Sequence, residues 1–334
     1  MTLGELYFFG VILMTSGAIL DKWYFFGIID LSGGDMAEKQ TEQLHAQAKG
    51  LDLLPDAEIM ALLASGQAEA AAAVAEAAPA LAEAALLAAG SMQDGGRLIY
   101  AAAGSSGLMA LADALELPGT YGLERERIVV LLAGGMAALE DMKGGPEDDG
   151  AAARAAVMAL NPGPKDCLIA LTASGHTPYP LEAARAARAA GARTIGIANN
   201  ADAALFDVVD VAVWLPTPPE VIAGSTRMGA GTAQKIALNM LSTLMACRLG
   251  HVHDGFMVNL IADNEKLRGR ARGIVTAIAG VDAAAAMAAL EATGGAVKPA
   301  ILMAAGADAA QASALLDEHR GFLRPALAAL RPAS

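Results

Sequence analysis

The stretch Arg97-Leu98-Ile99-Tyr100-Ala101-Ala102-Ala103-Gly104-Ser105-Ser106-Gly107 decides the fold. After the leading arginine, the five residues 98–102 are apolar and continue the strand pattern. Gly95-Gly96 opens the run and Gly104-Ser105-Ser106-Gly107 ends it, with a helical pattern over Leu108–Leu115 following. This is a strand, a short glycine–hydroxyl turn and a helix. The turn is not GxGxxG, so it gives no dinucleotide fingerprint, and no Gly-Lys-Ser/Thr follows as in a P-loop. It suits a single phosphate, held by serine hydroxyls and backbone N–H groups.

The same grammar repeats downstream. Ile128–Ala133 is a buried-strand pattern ending in Gly134-Gly135. Asp166–Leu171 is another, ending in Thr172-Ala173-Ser174-Gly175-His176-Thr177 before a helix over Pro180–Ala190. Thr194–Ala198 and Val208–Leu215 complete five strands. Strands alternating with helices at this spacing predict a doubly wound parallel α/β sheet, which binds ligands at the carboxyl ends of its strands. A third hydroxyl-rich stretch, Gly224-Ser225-Thr226-Arg227-Met228-Gly229-Ala230-Gly231-Thr232, follows the fifth strand and Glu220, and leads into a helix over Thr232–Leu249. Serine and threonine serve more often as helix caps than as ligands. Three such loops at one sheet edge favour a phosphorylated small molecule instead.

The 334 residues are 55% hydrophobic and carry a net charge of −13. An acidic chain lacks the basic face that nucleic acid requires, so no nucleic-acid partner is expected. Cys167 and Cys247 form no CxxC pair, which fits a reduced, cytoplasmic setting. Residues 1–35 hold half of the aromatic residues. Their apolar run Leu6–Leu20 is shorter than a membrane helix needs, so a membrane partner is not expected. This extension reads as translated upstream sequence, with Met36 as the natural start. Residues 36–272 read as the α/β domain with N-terminal helices, where Asp56 caps one helix and Pro79 breaks the long Gln67–Ala89 run. Residues 273–334 read as a small bundle of alanine-rich helices. His251-Val252-His253-Asp254-Gly255 suggests a surface turn over a metal site, because two histidines lack partners nearby. Gly144–Asp149 is acidic, and most such runs are solvated turns.

Taken together, Gly-Ser-Ser-Gly at 104–107, Pro-Gly-Thr-Tyr-Gly at 118–122, Glu-Asp at 147–148, Ala-Ser-Gly-His-Thr-Pro-Tyr at 173–179, Gly-Ser-Thr-Arg-Met at 224–228 and Asn-Glu-Lys-Leu at 264–267 have a familiar order. The chain resembles the N-acetylmuramic acid 6-phosphate etherases, sugar-isomerase (SIS) domain proteins, from about Thr41 onward. The resemblance implies a SIS-type doubly wound parallel sheet flanked by helices, a small C-terminal helical bundle and a homodimer. It also implies cleavage of the lactyl ether of N-acetylmuramate 6-phosphate by elimination and hydration, in peptidoglycan amino-sugar recycling, with no metal or other cofactor. By motif position Glu116 matches the proton donor and Glu147 the second catalytic carboxylate, with Asp148 an alternative base. Ser105, Ser106, Ser174 and Thr177 would hold the phosphate and sugar hydroxyls, and Glu220, Ser225 and Thr226 would line the same pocket. Several usual positions differ: Leu108 and His176 replace arginines, Ser105 a threonine and Gly229 a lysine. His176 is a candidate substitute cation if protonated. These losses keep a second reading open, a non-catalytic phosphosugar sensor.

Overall fold

The computed structural model describes residues 39–330; the extension at 1–35 and the start at Met36 lie outside them. Two helices come first, α1 (Asp56–Ala73) and α2 (Ala78–Gln93). Pro55 takes the position before α1, so Asp56 falls in the first turn and makes no capping hydrogen bond, contrary to the expected cap. The Gln67–Ala89 run breaks at a 3-10 turn, Val74–Ala77. Pro79 then opens α2, where its missing N–H costs nothing. The span 56–93 is long and apolar enough to resemble a membrane helix. Its Leu81, Ala84, Ala85, Ala88 and Met92 instead belong to the main core.

The α/β body then runs β1 (Leu98–Ala102), α3 (Gly104–Tyr121), β2 (Ile128–Leu132), α4 (Gly150–Ala159), β3 (Cys167–Leu171), α5 (Pro178–Ala189), β4 (Arg193–Ala198), β5 (Val211–Trp214) and α6 (Gly229–Arg248). All five strands are parallel, in the order β2-β1-β3-β4-β5. Side chains alternate across a strand. Leu98, Tyr100 and Ala102 therefore pack with α2, α3 and α6, while Ile99 and Ala101 pack with α4 and α5 on the opposite face. β1 and β3 are buried throughout, as strands covered on both faces must be. β2 was expected to be buried but lies at the edge, with Val129, Val130 and Leu131 only half-buried.

The order reverses between β1 and β3. β1 crosses to β2 through α3 on one face, and β3 crosses to β4 through α5 on the other. Both helices start at the same sheet edge, so their N-termini converge there. In this strand order, that is where ligands bind.

Beyond α6, β6 (Val252–His253) and β7 (Phe256–Met257) form a hairpin. Asp254 (φ 45°) and Gly255 (φ 80°) supply the two left-handed residues of a type I′ turn, and Arg324 pairs with Asp254. Helices α7 (Glu265–Ala279), α8 (Ala283–Ala292), α9 (Val297–Ala304), α10 (Ala309–Glu318) and α11 (Leu323–Leu330) share a separate core. It includes Val258, Leu260, Ala271, Ile274, Val275 and Ile301. α7 passes through residue 273 without a break.

One buried polar link ties the main core together. The Tyr100 hydroxyl donates to Asp113 Oδ2 at 2.7 Å, and Ser242 Oγ donates to Oδ1 at 2.9 Å, joining β1, α3 and α6. Burial and the Asp113 charge push the Tyr100 phenol well above its ordinary value, so it stays a donor. Tyr100→Phe keeps the ring but strips one donor from a buried carboxylate. It should lower unfolding free energy by roughly 1–3 kcal/mol in urea titration; an unchanged midpoint would show that the link contributes nothing.

Candidate active site

Gly104 begins α3 rather than preceding it. The expected turn at 104–107 is the first turn of the helix, because Gly104 takes the left-handed φ of 53° that lets β1 enter a helix at once. The N–H groups of that first turn have no intrahelical acceptors and face the edge of the sheet. Ser105 and Ser106 sit among them.

Across the switch point, the loop after β3 gathers three hydroxyls. Thr172 Oγ1 and Thr177 Oγ1 are 2.8 Å apart, and Ser174 Oγ is 3.2 Å from Thr177 Oγ1. Gly175, at φ 77°, lets this loop fold over Ala203; a Cβ there would lie 2.1 Å from the Ala203 methyl. Thr177 precedes α5, so the hydroxyl cluster also stands at a helix N-terminus.

These two loops bound a cavity of about 380 Å³ lined by Ser105, Ser106, Thr172, Ser174, Thr177, Gly224 and Thr226, with Glu42, Met142 and Glu147. The three hydroxyl-rich loops thus meet in one place. Glu147, on a short 3-10 turn (Gly145–Asp148), reaches over Gly104. A Cβ on residue 104 would lie 2.6 Å from Glu147 Oε1, so glycine makes room for the carboxylate. Burial, and secondarily the neighbouring Asp148, raise the Glu147 carboxyl above its ordinary value.

Other expected residues lie elsewhere. Glu220 is buried and accepts from the backbone N–H of Gly229 at 2.9 Å and of Ala230 at 2.8 Å. The N-terminus of α6, expected to welcome a ligand anion, is instead satisfied by this internal carboxylate. Ser225 is outside the lining while its neighbour Thr226 is in it. The His176 ring donates through Nδ1 to the Ser174 carbonyl at 3.0 Å and is also absent from the lining. Glu116 is on α3 twelve residues beyond Gly104, which is about 18 Å along the axis. It lines a separate cavity of about 530 Å³ with Thr120, Tyr121, Lys235, Asn239 and Thr243. Within one chain Glu116 and Glu147 do not face one ligand.

Thr172, Met142 and Glu42 line the cavity but were not among the expected site residues. Thr172 was legible as the first hydroxyl of its loop. Glu42 arrives from the N-terminal segment, more than sixty residues before the nearest site loop, and only a tertiary contact brings it there. Among the described residues, no three His, Cys, Asp or Glu side chains cluster as metal ligands would.

Residues 63–199 match the SIS domain family model. Among solved structures, a phosphoheptose isomerase from Francisella tularensis aligns over 57% of this chain and 98% of its own, at 19% identity and a TM-score of 0.45. Curated relatives are far more similar. An N-acetylmuramic acid 6-phosphate etherase of Deinococcus radiodurans is 47% identical over 265 residues, covering 79% of this chain and 87% of the relative. One from Geobacillus thermodenitrificans is 40% identical over 263 residues, covering 79% and 89%. At that identity and coverage, the chain belongs to the N-acetylmuramic acid 6-phosphate etherase family.

Proposed function

We propose that this protein is a carbon–oxygen lyase that cleaves the lactyl ether of N-acetylmuramate 6-phosphate, giving N-acetylglucosamine 6-phosphate and D-lactate in the cytoplasm. The observation that carries this reading is the hydroxyl-lined cavity at the N-termini of α3 and α5, with Glu147 over its floor, in a member of that family. The phosphate sits against the first-turn N–H groups of α3 and the hydroxyls of Ser105, Ser106, Ser174 and Thr177, as an anion at helix N-termini should. Thr226 closes the third side. Glu220 and Ser225 act one step back: Glu220 fixes the start of α6, and Ser225 belongs to the turn that carries Thr226.

The reaction needs a base and an acid. Glu147 removes the proton at C2, the electron pair forms a C2–C3 double bond, and the C3–O bond breaks. The departing lactyl oxygen takes a proton from the acid. Water then adds across the double bond, its oxygen going to C3 and a proton returning to C2. Glu147 suits the base, because a raised carboxyl accepts a proton more readily than an ordinary one.

Glu116 supplies the acid from a second copy of the chain. α3 exposes Leu108, Ala112 and Leu115 along one face, with Leu108 39% and Leu115 55% accessible. Packing two such helices antiparallel about Ala112 sets the partner's Glu116 level with Leu108, one turn from Gly104. The two carboxylates then share a cleft that neither chain forms alone, and a homodimer with two such sites results.

Release of D-lactate from N-acetylmuramate 6-phosphate tests the reaction. Saturable binding without turnover would replace it with the sensor reading. Glu116→Ala and Glu147→Ala should each be inactive. Mixed and allowed to exchange subunits, they should recover about one quarter of wild-type activity, since half the dimers then hold one intact site; no recovery would place both carboxylates in one subunit's site or outside it.

The pH profile gives a second check. A base works only when deprotonated, so the rate falls as pH drops through its pKa. With Glu147 raised, the acid limb of kcat/KM should lie above the ordinary glutamate range. Asp148→Asn removes the like charge and should move that limb to lower pH. A limb that stays put would assign the base elsewhere.

A further inference from the structure

The N-terminal segment is latched across the cavity at three points. Thr41, in a short 3-10 turn (Gln40–Glu42), is 5% accessible although it precedes every α-helix of the fold. Its N–H donates to Asn200 Oδ1 at 3.1 Å, and Asn200 Nδ2 donates to Thr41 Oγ1 at 3.0 Å. Its carbonyl accepts from Gly224 N–H at 3.1 Å. Asn200 Nδ2 also reaches the Ser174 carbonyl at 3.2 Å. The strap is thus hydrogen-bonded to the segment after β4 and to the 224 loop, and through Asn200 to the Ser174 loop. The next residue, Glu42, lines the cavity, and a Cβ on Gly224 would lie 3.2 Å from Glu42 Oε2. A three-point latch is more than an exposed glutamate needs.

We propose that Glu42 is a substrate-contacting specificity residue that accepts hydrogen bonds from the neutral donors of the bound phosphosugar, its ring hydroxyls and amide N–H. This deepens the reading above and rests on it for the site. Charge decides which part of the ligand Glu42 meets. A carboxylate repels the phosphate, which belongs at the helix N-termini, and it repels the lactyl carboxylate equally. The groups left are O–H and N–H donors on the ring. A carboxylate acceptor strengthens such bonds relative to a neutral one. Glu42 therefore selects a sugar carrying donors over a bare phosphate, and it fixes the ring with C2 turned to Glu147.

The test uses calorimetry on the full chain, with N-acetylglucosamine 6-phosphate and inorganic phosphate as ligands. Glu42→Ala should weaken the sugar phosphate about tenfold, the loss of one charge-assisted hydrogen bond. Glu42→Gln, which keeps an acceptor, should lose less. Neither should weaken inorganic phosphate, since only a like charge is removed. Thr41→Val, which removes the hydroxyl that accepts from Asn200 Nδ2 and so loosens the latch, should weaken the sugar in the same direction. Unchanged sugar affinity in Glu42→Ala, equal loss for sugar and phosphate, or no sugar binding by the wild type would overturn the proposal. If the wild type binds the sugar with this pattern but releases no lactate, the etherase reading fails and the role of Glu42 stands.

Discussion

Everything at the site follows from β1 lying beside β3 while their helices leave over opposite faces of the sheet. Two parallel strands that end side by side would otherwise send both chains the same way. Because β1 turns outward to β2 and β3 turns outward to β4, a crevice opens between the departing chains. α3 and α5 both present their N-termini to it. The crevice needs no cation to attract an anion; unpaired N–H groups and hydroxyls supply the potential. That resolves an apparent conflict with the net charge of −13, which governs long-range partners and says little about a crevice this local.

The third helix N-terminus at this edge shows how finely the potential is apportioned. α6 starts near the same crevice and would add to its attraction for anions. Glu220 caps it instead with two backbone hydrogen bonds. The positive ends of α3 and α5 are left to the ligand, and that of α6 is held by an internal anion. Gly229, the first residue of α6, is buried, and a Cβ there would lie 3.0 Å from the Ala70 methyl and 3.1 Å from Glu220 Oε2. A side chain at that point would need its neighbours to give by a few tenths of an ångström.

The long α3 has two ends with different duties. Its first turn faces the crevice, where Gly104 leaves space for Glu147. Its far end carries Glu116 beside Lys235 and Asn239, and an apolar stripe lies between them. A helix rises about 1.5 Å per residue, so twelve residues hold the two carboxylates apart within one chain. The apolar stripe between the two ends is the surface that the proposed second copy of the helix would cover.

The sequence by itself determined the five strands, their parallel wiring and the hydroxyl loops, because a buried strand followed by glycine and serine is a local pattern set by side-chain period and backbone freedom. It also made Glu147 legible by motif. The starts of α1 and α3 were missed, since a proline before the first helix moves its start by one residue and a left-handed glycine at the first residue of the second moves it by four. Tertiary structure alone decided where the isolated charges went. Glu220 turned inward to a helix N-terminus, Glu116 fell outside the crevice, and Glu42 came to its mouth from far away in the chain. A lone carboxylate carries no periodicity, and its role depends on which unpaired donors the finished packing leaves within reach.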